Sequence, residues 1–166
     1  MEPHDINTVW DFQHTVVAEA PRADAWRFWS DVRNWAFDTS IEWITLDGPF
    51  RTGAEGVTKP RGQEPSRWRL ADVRPGEGAL IEMEVPGALA RFEWRFDEVD
   101  AGRTRLTQRI TAEGPGVAEY TDEMRGEWAR GVREGMAALA DRMASAAHVE
   151  GDAERAEGDA DDRRQG

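Results

Sequence analysis

The sequence contains no cysteine, so disulfides, thiolate nucleophiles and thiolate metal ligands are excluded. Lysine is reduced to Lys59 and tyrosine to Tyr120. Arginine carries nearly all the positive charge, which we read as base composition rather than chemistry. No apolar run approaches the ~20 residues a membrane span needs, and no basic-plus-apolar leader opens the chain. A cytoplasmic location is therefore expected. Basic residues are outnumbered 33 to 21, for a formal net charge of -12. So acidic a chain repels phosphate backbones and anionic headgroups, and no nucleic-acid partner is expected.

Nucleotide and hydrolase motifs are missing as well. There is no GxGxxG after a strand, no GxxxxGK[ST], no HExxH and no GxSxG. His4, His14 and His148 are too far apart in sequence to suggest a histidine metal site. A carboxylate site stays open on sequence alone. No Ser–His–Asp set falls on neighbouring elements. Neither metal nor nucleotide cofactor is expected.

What the chain does have is tryptophan, eight against one tyrosine in 166 residues. Each brings a large apolar surface and one N–H that wants a partner when buried. Most should pack the core, but so many in one domain suggest that some line a cavity. The length fits a single domain, expected over 8–148 between a loose segment 1–7 and a disordered acidic tail 149–166. That tail (EGDAERAEGDADDRRQG from Glu150) holds no large apolar residue and cannot offset its ordering entropy.

Residues 8–19 alternate Trp10, Phe12, His14, Val16 and Ala18 against polar neighbours, the signature of a half-buried strand. Pro21 opens a short helix carrying Trp26 and Trp29, and a second short turn runs to Trp35 and Phe37. Strands follow at 40–47, 53–59, 66–74, 79–85, 88–99 and 103–112, divided by turn signals such as Gly48-Pro49, Pro75-Gly76 and Pro86-Gly87. Regular turns argue for an antiparallel meander. After Gly114-Pro115-Gly116, Tyr120, Met124, Trp128, Val132, Met136, Leu139 and Met143 mark a long amphipathic helix, with Arg125 and Arg130 outside the stripe. Gly126, Gly131 and Gly135 weaken that helix, and the last two would allow close approach by a neighbour. The helix is the one large apolar cover for the sheet.

The strings HTVVAEAPRADAWRFWSDVRNW, LDGPFRTGAEG, VPGALARFEW and GRTRLTQRITAEGP, with the terminal helix, resemble the polyketide cyclase/dehydrase and lipid-transport superfamily (START-like, SRPBCC). The resemblance runs from about Phe12 to Ala147. It implies an α+β helix-grip fold: a seven-stranded antiparallel curved sheet wrapped around the C-terminal helix, with two short helices after the first strand. It also implies a deep cavity for lipids, sterols or polyketides, and in some relatives cyclisation or dehydration. A related group resembles activators of the Hsp90 chaperone.

Strand alternation turns His14 toward the cavity, as general base, donor to a ligand carbonyl, or satisfied core group. Gln108 shares a face with Leu106 and Ile110 and should bond a ligand, a water or a neighbour such as His14. The resemblance suggests a histidine at position 108 in many relatives. Glutamine can orient a substrate but cannot exchange a proton, which weakens an acid/base role. Tyr120 falls near the expected cavity mouth. Trp68, Met83, Phe92, Trp94, Met124 and Trp128 complete the candidate ligand wall. Ile81 and Met83 point inward, because the opposite register would bury Glu82 and Glu84. For Trp43 both registers stay open. The leading expectation is a binding protein for a small hydrophobic molecule, as monomer or homodimer. The alternatives are a cyclase/dehydratase using His14, and a co-chaperone-like interaction module.

Overall fold

Ten residues of alternating exposure, Val9–Ala18, form β1, because period-two apolar residues bury one face of a pleated strand. Helix α1 spans Arg22–Trp29, and a 3-10 turn spans Val32–Phe37. Six strands follow: β2 (Ile41–Leu46), β3 (Glu55–Pro60), β4 (Ser66–Arg74), β5 (Gly78–Val85), β6 (Ala88–Asp100) and β7 (Arg103–Glu113). A 3-10 turn, Pro115–Glu119, leads into the long helix α2 at Asp122–Asp162. The computed structural model describes the backbone over 9–37 and 41–162, and side chains over 9–35 and 41–149. The expected loose segment 1–7, and the side chains of the expected tail after Val149, lie outside the described residues.

The seven strands make one antiparallel sheet in the order β1-β7-β6-β5-β4-β3-β2. β2 to β7 meander, and β1 closes onto β7. Register sets side chains in rows across the concave face. One row runs Trp10, Ala112, Ala90, Met83, Trp68, Gly56. The next runs Phe12, Ile110, Phe92, Ile81, Leu70, and a third runs His14, Gln108, Trp94, Ala79. Ile81 and Met83 point inward as expected, and Glu82 faces Arg69 across the outer side at 3.7 Å. Trp43 is settled by its register with Lys59: it faces outward, 40% exposed, while Ile44 and Leu46 pack on the core.

Beneath α1 the concave face is plugged by aromatic rings. Trp29 lies within 5.3–5.5 Å of Trp26, Trp35, Phe50, Trp94 and Phe96. Such pairs add about 0.5–1.5 kcal/mol each beyond the area they bury. The indole N–H groups are met locally: Trp35 Nε1 donates to the Trp29 carbonyl at 2.7 Å, and Trp68 Nε1 to Thr58 Oγ1 at 3.0 Å. Trp68 lies over Gly56, where a Cβ would fall 2.1 Å from the ring. Thr104 Oγ1 donates to the Ala20 carbonyl at 2.8 Å, tying the turn before α1 to β7.

α2 packs against β1 and α1, and its buried stripe is Ala129, Met136, Leu139, Ala140 and Met143, with Val132 half-buried. This corrects the expected stripe in its first half. Steps of four residues advance 400°, so Trp128 and Met124 drift progressively off the line of Met136, while Tyr120 precedes α2 in an extended conformation. Eleven residues before Met136, three turns to within 20°, stands Arg125, and it is Arg125 that joins the covered face. Close approach at Gly131 and Gly135 is also not found: a Cβ at either meets nothing within 4 Å.

Candidate functional site

The concave face is unevenly covered. Toward α1 it is sealed by the aromatic plug, with Phe96 and Leu106 at 1% and 0% exposure. Toward the other end of the sheet, the inward-facing Phe12, His14, Met83 and Phe92 are only half-buried. Ala90 and Ala112, register partners on β6 and β7, are small and buried there. Together these residues make the less covered part of the concave face, called the cleft below, over β1, β7, β6 and β5 and beside the first half of α2.

Its polar centre is a cross-strand row. His14 is the register partner of Gln108, and Gln108 of Trp94. Gln108 is 9% exposed, and its amide makes no hydrogen bond within the described chain. Its amide is not among the buried polar atoms left without a partner, so it keeps some access to solvent. Of the partners expected for Gln108 (a ligand, a water or a neighbour such as His14), His14 is adjacent across the strands but not hydrogen-bonded to it.

Aromatic rings frame the cleft at its open end. Trp128 lies 5.5 Å from Trp10, and Tyr120 meets Trp128 edge-on at 4.8 Å. Trp128 is 37% exposed, so it stands at the rim. Met124, one turn earlier, is half-buried. Trp68 sits apart from this group, tilted against Trp35 at 5.4 Å with its N–H committed to Thr58.

A backbone clasp holds the rim in place. The Gly116 amide donates to the Gly87 carbonyl at 2.9 Å, joining the β5–β6 turn to the segment before α2. Gly114 has φ 145, and a Cβ there would fall 2.4 Å from the Gly87 oxygen. Only glycine fits so close a backbone contact at that φ. Thr121 Oγ1 then accepts from the Met124 amide at 3.1 Å, capping α2.

Sequence reasoning missed Arg125. Its Nε is the one buried side-chain polar atom without a partner among the described residues. The signal was the eleven-residue spacing to Met136, which a four-residue pattern hides.

A separate groove of about 850 Å³ opens on the outer side of the sheet, where Thr45, Val57, Arg67, Arg69, Glu82 and Glu84 project. Its arginines and glutamates alternate as on a solvated face, and it shares none of the cleft's inward-facing polar groups. The described residues contain no cluster of metal-ligating side chains. No helix among them is long and apolar enough to cross a membrane.

Solved structures share this fold at low identity. Ara h 8.0201 aligns with a TM-score of 0.68 at 13% identity, over 83% of this chain and 99% of its own. Norcoclaurine synthase from Thalictrum flavum, in complex with dopamine and hydroxybenzaldehyde, aligns at 0.66 and 10%, over 82% and 87%. The di-domain ARO/CYC BexL from the BE-7585A biosynthetic pathway aligns at 0.64 and 17%, over 84% of this chain and 50% of its own. No curated protein matches the sequence. The family description "Polyketide cyclase / dehydrase and lipid transport" matches residues 9–144. With its seven-stranded sheet gripping a long C-terminal helix, the chain belongs to the polyketide cyclase/dehydrase and lipid-transport family.

Proposed function

We propose that the chain binds a small hydrophobic molecule, aromatic, polyketide-like or lipid-like, in the cleft between the concave sheet face and the first half of α2. The observation that carries this reading is Gln108: its side chain is largely covered yet makes no hydrogen bond among the described residues, and a ligand carbonyl or hydroxyl in the cleft would meet its amide. Apolar walls with few polar points are the usual make-up of such sites. Half-buried Phe12, Phe92 and Met83 supply the walls. Family membership supports the same reading, as does the aromatic pair held by norcoclaurine synthase on this fold.

The test is titration with 2-acetonaphthone, a neutral aromatic ketone, followed by tryptophan fluorescence. Saturable quenching that weakens in Gln108→Leu is expected. No saturable binding up to the solubility limit would overturn the proposal.

A second reading is a cyclase or dehydratase needing neither metal nor nucleotide cofactor. It is favoured by His14, half-buried on the cleft row with no hydrogen bond inside the chain, where it can accept a proton. Gln108 or Tyr120 would orient the substrate. Turnover of an aromatic polyketide substrate that is indifferent to His14→Ala would remove this mechanism.

A further inference from the structure

We infer that the cleft takes a hydrophobic molecule bearing a carboxylate, and that Arg125 is the group that receives the acid. The inference rests on the cleft reading above and adds a chemical class to it.

The arginines of the sheet's outer face are widely paired. Arg109 meets Asp11 at 2.7 Å, Arg69 meets Glu82 at 3.7 Å, and Arg91 meets Glu113 at 3.6 Å. Among the described residues Arg125 has no ion pair and no side-chain hydrogen bond, and its Nε is buried. That Nε lies on the covered face of α2, in line with Ala129 and Met136.

The contacts of α2 show where that position lies. Trp128 meets Trp10, and the Arg133 guanidinium sits 5.3 Å over the Phe12 ring. Going along α2 from 128 to 133 thus goes along β1 from 10 to 12. Arg125, three residues before Trp128, stands about 4.5 Å further along the helix axis toward the rim end, just beyond the row that starts at Trp10. Small Ala112 and Ala90 occupy that row. A ligand with its apolar body over Phe12 and Phe92 would present a terminal group there.

The chemistry selects an acid. A guanidinium offers N–H donors in a fixed fork that matches a carboxylate in two parallel bonds. A buried Nε–H without a partner is costly, and a carboxylate satisfies it while neutralising the charge. The α2 N-terminus itself is already spoken for, with Thr121 as cap and Asp122 and Glu123 in the first turn. The anion site is therefore the side chain and not the helix end.

The experiment compares 2-naphthoate with the neutral 2-naphthamide at pH 7, on the wild type, Arg125→Met and Arg125→Lys, with circular dichroism melting as a check on folding. In the wild type the carboxylate should bind about tenfold or more tighter than the amide, as expected for a charge-assisted hydrogen bond. Arg125→Met should lose that preference and still bind the amide. Arg125→Lys should keep part of it. Equal affinity for the two probes in the wild type, or a preference that survives in Arg125→Met, would overturn the inference and leave the cleft standing. Failure of both probes to bind would overturn the cleft reading and this inference with it.

Discussion

His14 and Gln108 face each other across β1 and β7 on the concave side of the sheet, and neither side chain forms a hydrogen bond within the described chain. Two polar groups set side by side in an apolar surface, and left unjoined, mark a place where the fold gives up stability. Positions of that kind are held for something other than packing.

Replacing Gln108 with leucine should therefore stabilise the protein. Leucine puts apolar surface where a largely covered polar side chain makes no hydrogen bond among the described residues, a gain of about 1 kcal/mol, and the side-chain volumes are close. The urea midpoint should rise, while affinity for a carbonyl-bearing probe falls. A lower midpoint would show that the amide is satisfied in solution.

Glycine substitutions should split by location. Alanine at Gly126, Gly131 or Gly135 meets nothing within 4 Å, and each should stabilise α2 by up to about 1 kcal/mol. Gly56→Ala should destabilise by about 1–3 kcal/mol, because its Cβ would fall inside the Trp68 ring. Thermal melts of the four single variants check both directions, and a loss at the helical positions would contradict the open surface there.

Acid should selectively weaken the tie between β1 and β7. Arg109 Nε and Nη2 donate to the two Asp11 carboxylate oxygens at 3.0 and 2.7 Å. That hydrogen bonding holds the Asp11 carboxyl below its ordinary value, against a smaller opposing effect of burial. A depressed carboxylate contributes stability above its unfolded pKa of about 3.9 and loses it as pH falls through the lower folded value. The stability gap between wild type and Asp11→Asn should be full at pH 6 and close below about pH 4. Both groups are largely exposed, so the gap should be small and shrink further in high salt. A gap independent of pH would exclude the pair as its source.

Much of the sheet was legible from alternation. Trp10, Phe12, His14 and Val16 could only share a face, and Glu82 and Glu84 could not be buried unpaired, so β1 and β5 were oriented correctly. Trp43 was not legible, since β2 carries apolar residues on both parities and only pairing with β3 chose between them. The first half of α2 misled, because aromatic residues at four-residue steps look like one stripe yet wind around the helix. Arg125 was discounted because a charge on an amphipathic helix normally faces water.

By itself, the sequence determined the element order, the antiparallel meander and the covering role of the last helix, since these follow from local period, turn residues and the need to bury one face. Tertiary structure alone decided which tryptophans plug the interior and which frame an opening. It also decided that Gln108 and the Arg125 Nε lack hydrogen-bond partners among the described residues. Whether a polar group is satisfied depends on atoms brought from distant parts of the chain, and no local pattern carries that information.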